Sequence, residues 1–224
     1  MAFDGVSSEQ EAQGRFDEAF AIQRQGLTSD SVTFDGKYYK LLGAPVTSRP
    51  VQRPHQPLWY GTRTPAKARW CARPGMPMMA LVPSQAVRTQ IDAYKAEWAS
   101  LGRSADDLPS LGISRNMVLA PISEEAMTNA NRAFARFNDS LYYLWKKYDI
   151  SISPIFPAET FEGIHATDHF YAADPASARE WVARHRDIGG INRMALETCF
   201  GDMTKEEALQ SAELLATEVM PHFA

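Results

Sequence analysis

Short apolar, β-prone runs alternate with helical patterns along most of this chain, and that alternation limits the fold more than any other feature. The runs begin near Leu58, Met76, Leu111 and Arg193, and helical patterns open at Thr64-Pro65, Pro83-Ser84, Ser123, Asp174-Pro175 and Thr204. Each opening pairs a residue able to cap a helix with, in two cases, proline at the first helical position, where its missing N–H costs nothing. Thr204 with Glu207 has the spacing of a capping box. Strand, helix, strand in succession implies a parallel sheet with right-handed crossovers. Four such strands are half of an eight-stranded βα barrel and cannot close one. The expected fold class is therefore α/β: either an open sheet or an incomplete TIM-barrel-like (β/α)8 fold with about four parallel strands.

Upstream of that rhythm, Ser8 to about Gly26 carries Phe16, Ala19 and Phe20 on one face and predicts a helix. Val32 to Tyr39 predicts a β-hairpin turning at Asp35-Gly36, a pair that suits a tight type I′ turn. Pro45 to Pro57 is too rich in proline for helix or central strand and predicts an extended arm. The long helix from Ser123 bears Ala126, Ala130, Phe134, Phe137, Leu141 and Leu144 as one apolar stripe. Ile150 to Phe170 has no clear period and predicts an irregular loop. With 45% hydrophobic residues, the 224-residue chain has enough apolar side chain for a real core, and a single domain over 1–224 is expected.

Charge and cysteine usage remove several functions. The net charge is −4 with no block of like charges, so nothing attracts nucleic acid or an anionic membrane. Cys71 and Cys199 are the only cysteines and lie far apart, which suits neither a disulfide framework nor a thiolate zinc site. The N-terminus lacks the basic and apolar regions of a signal peptide, and no run is long enough to span a bilayer. A cytoplasmic protein is expected.

The residues that suit ligand chemistry cluster at one strand-to-helix junction, Gly61-Thr62-Arg63-Thr64-Pro65. Such a junction offers unpaired backbone N–H groups and the positive end of a helix dipole, which together suit a phosphate. Gly61 allows close approach, Thr62 and Thr64 carry hydroxyls, and Arg63 and Lys67 add positive charge. Elsewhere, His165 and His169 are spaced four apart but lack a third ligand, so no metal is expected. They read as exposed loop histidines, with the lining of a substrate entrance as the alternative. Met76, Met78 and Met79 with Trp59 and Trp70 read as core.

Longer stretches carry a resemblance. Pro50-Val51-Gln52-Arg53-Pro54-His55-Gln56-Pro57-Leu58-Trp59-Tyr60-Gly61 resembles the approach to the fifth barrel strand of bacterial-luciferase-like flavin monooxygenases. Gly14 to Ala19 and the Val32–Tyr39 hairpin resemble elements before it, and Gly201 to Phe223 resembles the family's last helix and C-terminus. Trp70 and Gly75-Met76-Pro77-Met78 are similar to the sixth-strand region of the luciferase α-chain. The resemblance implies the C-terminal half of such a barrel, binding FMN or deazaflavin F420 through Gly61, Thr62, Arg63, Thr64 and Lys67. It departs from the family in having Gly-Thr-Arg-Thr where a glycine pair or an acidic-serine pair is common. It further implies a small-molecule substrate, a flavin reductase partner and a homo-oligomer. The family's first four strands, which carry much of its active site, have no counterpart here, so no catalytic residue is carried over. The alternative is a shortened member that binds flavin or phosphate without catalysis, or that acts only as an interaction partner.

Overall fold

The computed structural model describes residues 8–149 and 160–223, and the chain divides into two compact units, Met1–Leu58 and Trp59–Ala224. In the first, helix α1 (Glu9–Thr28) starts at Ser8, whose hydroxyl accepts from the Glu11 N–H at 3.1 Å. Strands β1 (Ser31–Asp35) and β2 (Lys40–Pro45) pair antiparallel. The expected hairpin is therefore present, but its turn is wider than Asp-Gly implies. Asp35 pairs with Lys40, and Gly36 stays outside the left-handed region that a type I′ turn requires. The Glu18 carboxylate of α1 takes the N–H groups of Lys37, Tyr38 and Tyr39 at 2.8–3.0 Å, so a long-range acceptor stabilises residues 36–39 in place of a tight turn.

The second unit alternates strand and helix as expected. In order come β3 (Tyr60–Thr62), α2 (Pro65–Ala72), β4 (Met78–Ala80), α3 (Ser84–Ser100), β5 (Leu111–Leu119) and α4 (Ser123–Lys147). These are followed by α5 (Phe161–His165), β6 (Phe170–Ala173), α6 (Pro175–Gly189), β7 (Arg193–Glu197) and α7 (Lys205–Leu214), which runs on through a π-helical turn at Leu215–Val219. All five strands of this sheet are parallel, and no closed barrel forms among the described residues. The α/β class with a parallel sheet and a separate hairpin is thus what the chain adopts.

The fifth strand, β6, lies at the end of the stretch expected to be irregular; residues 150–159 of that stretch lie outside the described residues. A four-residue strand with Phe170, Ala172 and Ala173 all buried has no polar alternation for a periodicity argument to detect. Its placement follows from the registers. Gly112 and Ile113 of β5 pair with both β4 and β7, so those two flank β5 on opposite sides. Asn116 pairs with both β6 and β7, so β6 also lies opposite β7. Strands β4 and β6 therefore follow one another along a single edge of β5, with a seam between them.

Two of the expected caps are not caps. Thr64 and Asp174 do cap α2 and α6, and Thr204 with Glu207 completes its capping box. Ser84 and Ser123, however, are the first residues of their helices, and neither helix has a side-chain cap. The Ser123 hydroxyl is donated to Asp174 at 2.6 Å, and Ser84 bonds His185 at 2.7 Å. In both cases a tertiary partner outcompetes the local backbone. The core gathers on either side of β5. One cluster stacks Phe134, Phe161, Phe170 and Phe200 under α4, with Phe170 centroids 5.2 Å from Phe134 and 5.0 Å from Phe200. The other packs Met117, Leu119, Ala178, Trp181 and Val219 between the sheet and α6.

Candidate functional site

Side chains alternate along each strand, so the two faces of the parallel sheet can be read from burial. On the helix side, Thr62, Met78, Ala80, Leu111, Ile113, Arg115 and Met117 are buried. The other face carries Gly61, Met79, Gly112, Ser114, Asn116, Arg193, Ala195 and Glu197, and at its β5–β6 end Val118, Phe170 and Ala172, which are buried under α4. A Cβ on Gly112 would meet the Arg193 carbonyl oxygen at 2.5 Å and Met79 Sδ at 3.0 Å, so the β7 backbone and the Met79 side chain close over this position and only glycine fits. Asn116 Nδ2 donates to Glu197 Oε2 at 3.0 Å across the β5–β7 pair. A closed βα barrel normally fills this face with branched apolar side chains. Here α4 covers its β5–β6 end, and the part beside β3, β4 and β7 carries Met79, Arg193 and the Asn116–Glu197 carboxamide–carboxylate pair.

The turn expected from the sequence to take a phosphate stands at the C-terminal end of β3. Strand β3 finishes at Thr62, and α2 begins at Pro65 behind the Thr64 cap, whose hydroxyl accepts from the Lys67 N–H at 3.3 Å. Gly61, Arg63 and Thr64 are exposed, and Lys67 is partly so, with its ammonium 5.6 Å from the Trp70 ring centroid. At Gly61 an added Cβ would lie 2.7 Å from Leu81 Cδ1, so the Leu81 side chain packs over this position and a larger residue would have to displace it. Thr62 differs from its neighbours: it is buried and donates its hydroxyl to Gln90 Oε1 of α3. A phosphate at this turn would be held by backbone N–H groups, the Thr64 hydroxyl and the cations Arg63 and Lys67, while Thr62 anchors the strand end from behind. The donor set fits an anion.

Next to this turn the structure assembles a polar cluster that the sequence did not reveal. Arg115 fills the seam where β4 leaves the edge of β5 and β6 joins it. Its Nη2 donates to the Val82 carbonyl at 2.9 Å and lies 3.4 Å from Ser84 Oγ, and its Nη1 donates to the Ser114 carbonyl at 2.8 Å. The guanidinium is only 2% exposed and Nε has no protein partner. Burial lowers its pKa to about 10, and the Asp168 charge opposes that shift. His169, just before β6, is buried with Nδ1 3.0 Å from Thr167 Oγ1. Burial first, then Arg115 and more weakly Arg63, push its pKa down to about 4, so it is neutral at physiological pH. Asp168 adopts a left-handed φ of 60° and accepts from Trp181 Nε1 and Arg184 Nη2, each at 2.8 Å.

The histidines are therefore not exposed loop residues as expected. His165 ends α5, stacks on Tyr171 at 5.0 Å and has a buried Nε2 without a hydrogen bond, and its pKa is lowered chiefly by burial. The reason is β6, which draws the segment into the sheet. The only charged residue in the strand run Leu111 to Ala120 is Arg115, and that was the one signal that could have marked it. Of the methionine–tryptophan group, Met76 and Met78 are core, whereas Trp59 is 44% exposed. Cys71 is buried, with its thiol pushed up to about 12 by desolvation, and Cys199 is exposed; both are free.

A sequence profile described as luciferase-like monooxygenase matches residues 2–151. A relative from Sinorhizobium fredii, called uncharacterized protein y4wF, is 27% identical over 207 residues, covering 92% of this chain and 60% of its own length. The crystal structure of the monooxygenase RslO1 from Streptomyces bottropensis superposes with a TM-score of 0.80 at 24% identity, over 97% of this chain and 63% of that one. The oxygenating constituent of 3,6-diketocamphane monooxygenase from Pseudomonas putida, solved in complex with FMN, gives a TM-score of 0.67 at 14% identity, over 98% and 65%. The chain thus spans about three fifths of the relatives it matches.

Proposed function

Because the chain belongs to the luciferase-like monooxygenase family, we propose that it is the cofactor-holding C-terminal part of a flavin-dependent oxidoreductase that uses FMN or F420 on a small organic substrate. The observation that carries this reading is the Gly61–Lys67 turn, a strand end running into a capped helix with the exposed cation Arg63 and the partly exposed Lys67 beside it, at the edge of an all-parallel sheet. The phosphate tail of a flavin needs such a turn. The flavin supplies the redox chemistry when bound. The chain's own residues bind, orient and exclude water: Gly61, Arg63, Thr64 and Lys67 hold the phosphate, Thr62 fixes the strand end, and Asn116 holds the Glu197 carboxylate in place. The FMN complex among the superposable structures supports FMN, and an F420-dependent tetrahydromethanopterin reductase from Methanopyrus kandleri, TM-score 0.65, supports F420.

The remaining barrel would close on two flanks. Among the described residues no strand pairs with the outer edges of β3 and β7, and a largely apolar cleft of about 550 Å3 runs beside β7, lined by Val182, Met194, Leu196, Leu215, Val219 and Phe223. Unpaired edges and uncovered apolar surface favour association. The reading therefore includes an N-terminal half, homo-oligomerisation, one barrel domain containing the whole chain, a flavin reductase as electron donor and a cytoplasmic setting.

The phosphate site is tested by comparing two flavins. Arg63→Ala removes an exposed cation, so folding should be nearly unchanged, while FMN affinity falls by about 1–3 kcal/mol through loss of a charge-assisted bond. Riboflavin, which lacks the phosphate, should bind equally well before and after the change. Fluorescence titration showing equal responses of FMN and riboflavin would remove these residues from the cofactor site.

A further inference from the structure

Between the start of α3 and the last turns of α6 lies a cavity of about 230 Å3, with Ser84, Asp168, Arg184 and His185 in its wall beside Val87 and Ile188. Ile113 also lines it, which places it on the α3–α6 side of the sheet, opposite the face that carries Gly112 and the Asn116–Glu197 pair. The flavin reading makes no use of it. The geometry points to a second, hydrolytic site here: Ser84 Oγ is a nucleophile with His185 as its base, and the cavity accepts a small acyl ester.

The protonation pattern follows from the hydrogen bonds. His185 Nδ1 lies 2.8 Å from the Trp181 carbonyl oxygen, which can only accept, so Nδ1 carries the proton. Nε2 therefore presents its lone pair, and Ser84 Oγ, 2.7 Å away, donates to it. A nucleophile bonded to a base that is oriented by a third group is the general arrangement of an activated serine. The carbonyl of Trp181 does the orienting, and the ring packs against Trp181 with centroids 4.1 Å apart. His185 is 5% exposed and its pKa is lowered chiefly by burial, which keeps it an unprotonated acceptor at neutral pH. Asp168 Oδ2, 3.9 Å from Nε2, opposes the charge of the imidazolium that would form. Arg115 Nη2, 3.4 Å from Ser84 Oγ, lies where alkoxide charge develops. Helix α3 begins at Ser84 with no side-chain cap; the Ala86 N–H bonds the Pro83 carbonyl at 2.9 Å, and the N–H groups of Ser84 and Gln85 stand at the helix start for a developing oxyanion.

In the first step Oγ bonds to the ester carbonyl carbon while its proton passes to Nε2. The carbonyl-to-alkoxy bond then breaks and the leaving alcohol takes that proton. Water next gives a proton to Nε2 as its oxygen attacks the acyl carbon, and the Ser84 oxygen leaves with that proton while the carboxylic acid departs. No oxidant, metal or flavin enters.

The test uses the purified chain without flavin, so its result is independent of the cofactor reading. A fluorophosphonate should add once, at Ser84, as read by intact mass and peptide mapping, and 4-nitrophenyl butyrate should release 4-nitrophenol. Ser84→Ala should abolish both, and His185→Gln should slow both by about 100-fold or more, the usual scale of a lost general base. Ile188→Trp, which narrows the mouth from a 60% exposed position, should slow both without touching the dyad. Ser100→Ala, an exposed serine bonded to the Glu97 carbonyl, should change neither. Absence of the adduct from Ser84 in the folded chain overturns the proposal. So does an adduct that forms equally in urea, or ester cleavage that survives in a folded Ser84→Ala chain, as checked by circular dichroism.

Discussion

Ser211→Ala should destabilise the second unit by about 2–3 kcal/mol, although it removes a single oxygen. Strand β7 stops pairing with β5 at Asn116, while β5 continues to Leu119. From there β6 satisfies only the opposite edge, through the pairs from Asn116 to Leu119. On the β7 side the Leu119 N–H would be an orphan, and Ser211 of α7 takes it at 2.9 Å while lying 3.4 Å from the Met117 carbonyl oxygen as its donor. The side chain is 0% exposed, so bulk water has no access once the hydroxyl is gone. Leaving the buried N–H unmet costs about 1–3 kcal/mol, and the longer bond to Met117 adds a fraction of that. For a chain of this size the loss corresponds to a fall in Tm of about 5–10 °C. Urea unfolding should show a lower midpoint with the m-value unchanged. Thr128→Ala is the control, because its exposed hydroxyl only back-bonds the Glu124 carbonyl of its own helix and should cost no more than about 0.5 kcal/mol. If the two alanine variants unfold at the same urea concentration, the hydroxyl is not standing in for a strand.

Gly201→Ala should cost more than about 3 kcal/mol, since φ is +62° and the new Cβ would fall 1.9 Å from the Ala133 carbonyl oxygen, a rigid helix backbone; a Tm within a few degrees of the parent would contradict the close approach. Asp174 titrates at about 2, lowered first by the Ser123 hydroxyl and then by the Ser177 N–H, so its stabilising contribution is present above about pH 4 and lost as pH falls towards 2. Asp174→Asn should therefore destabilise at pH 7 and become neutral near pH 2, and a penalty independent of pH would refute that origin. His169, depressed to about 4 by burial and then by Arg115, resists protonation in the folded state. Its contribution is complete above the ordinary value near 6.5 and declines from there down to about pH 4, where the unfolded chain alone takes up the proton. His169→Gln should flatten stability over that interval, and an imidazole resonance titrating near 6.5 would exclude the burial effect.

The local signals carried most of the secondary structure. Thr64-Pro65 and Asp174-Pro175 opened helices where expected, because a cap and a proline at N1 act within one turn and need no partner from elsewhere. The βα rhythm likewise implied a parallel sheet, since only a crossover returns the chain in the same direction. The Gly61–Lys67 turn was legible for the same reason, being an adjacent strand end and helix start. Tertiary structure decided the rest. Ser84 and Ser123 look like caps in sequence but bond side chains 101 and 51 residues away. The Asp35-Gly36 turn opened because Glu18, far back in α1, supplied three acceptor bonds. Strand β6 has no period of its own, and its position comes from the length of β5 left unpaired beyond β4. Arg115, Asp168, His169 and His185 meet only because that seam brings β4, β6 and α6 together, so their pKa shifts and hydrogen bonds belong to no single segment. Short-range rules reach as far as one turn of helix or one hairpin, whereas burial of a charge is set by every segment that packs around it.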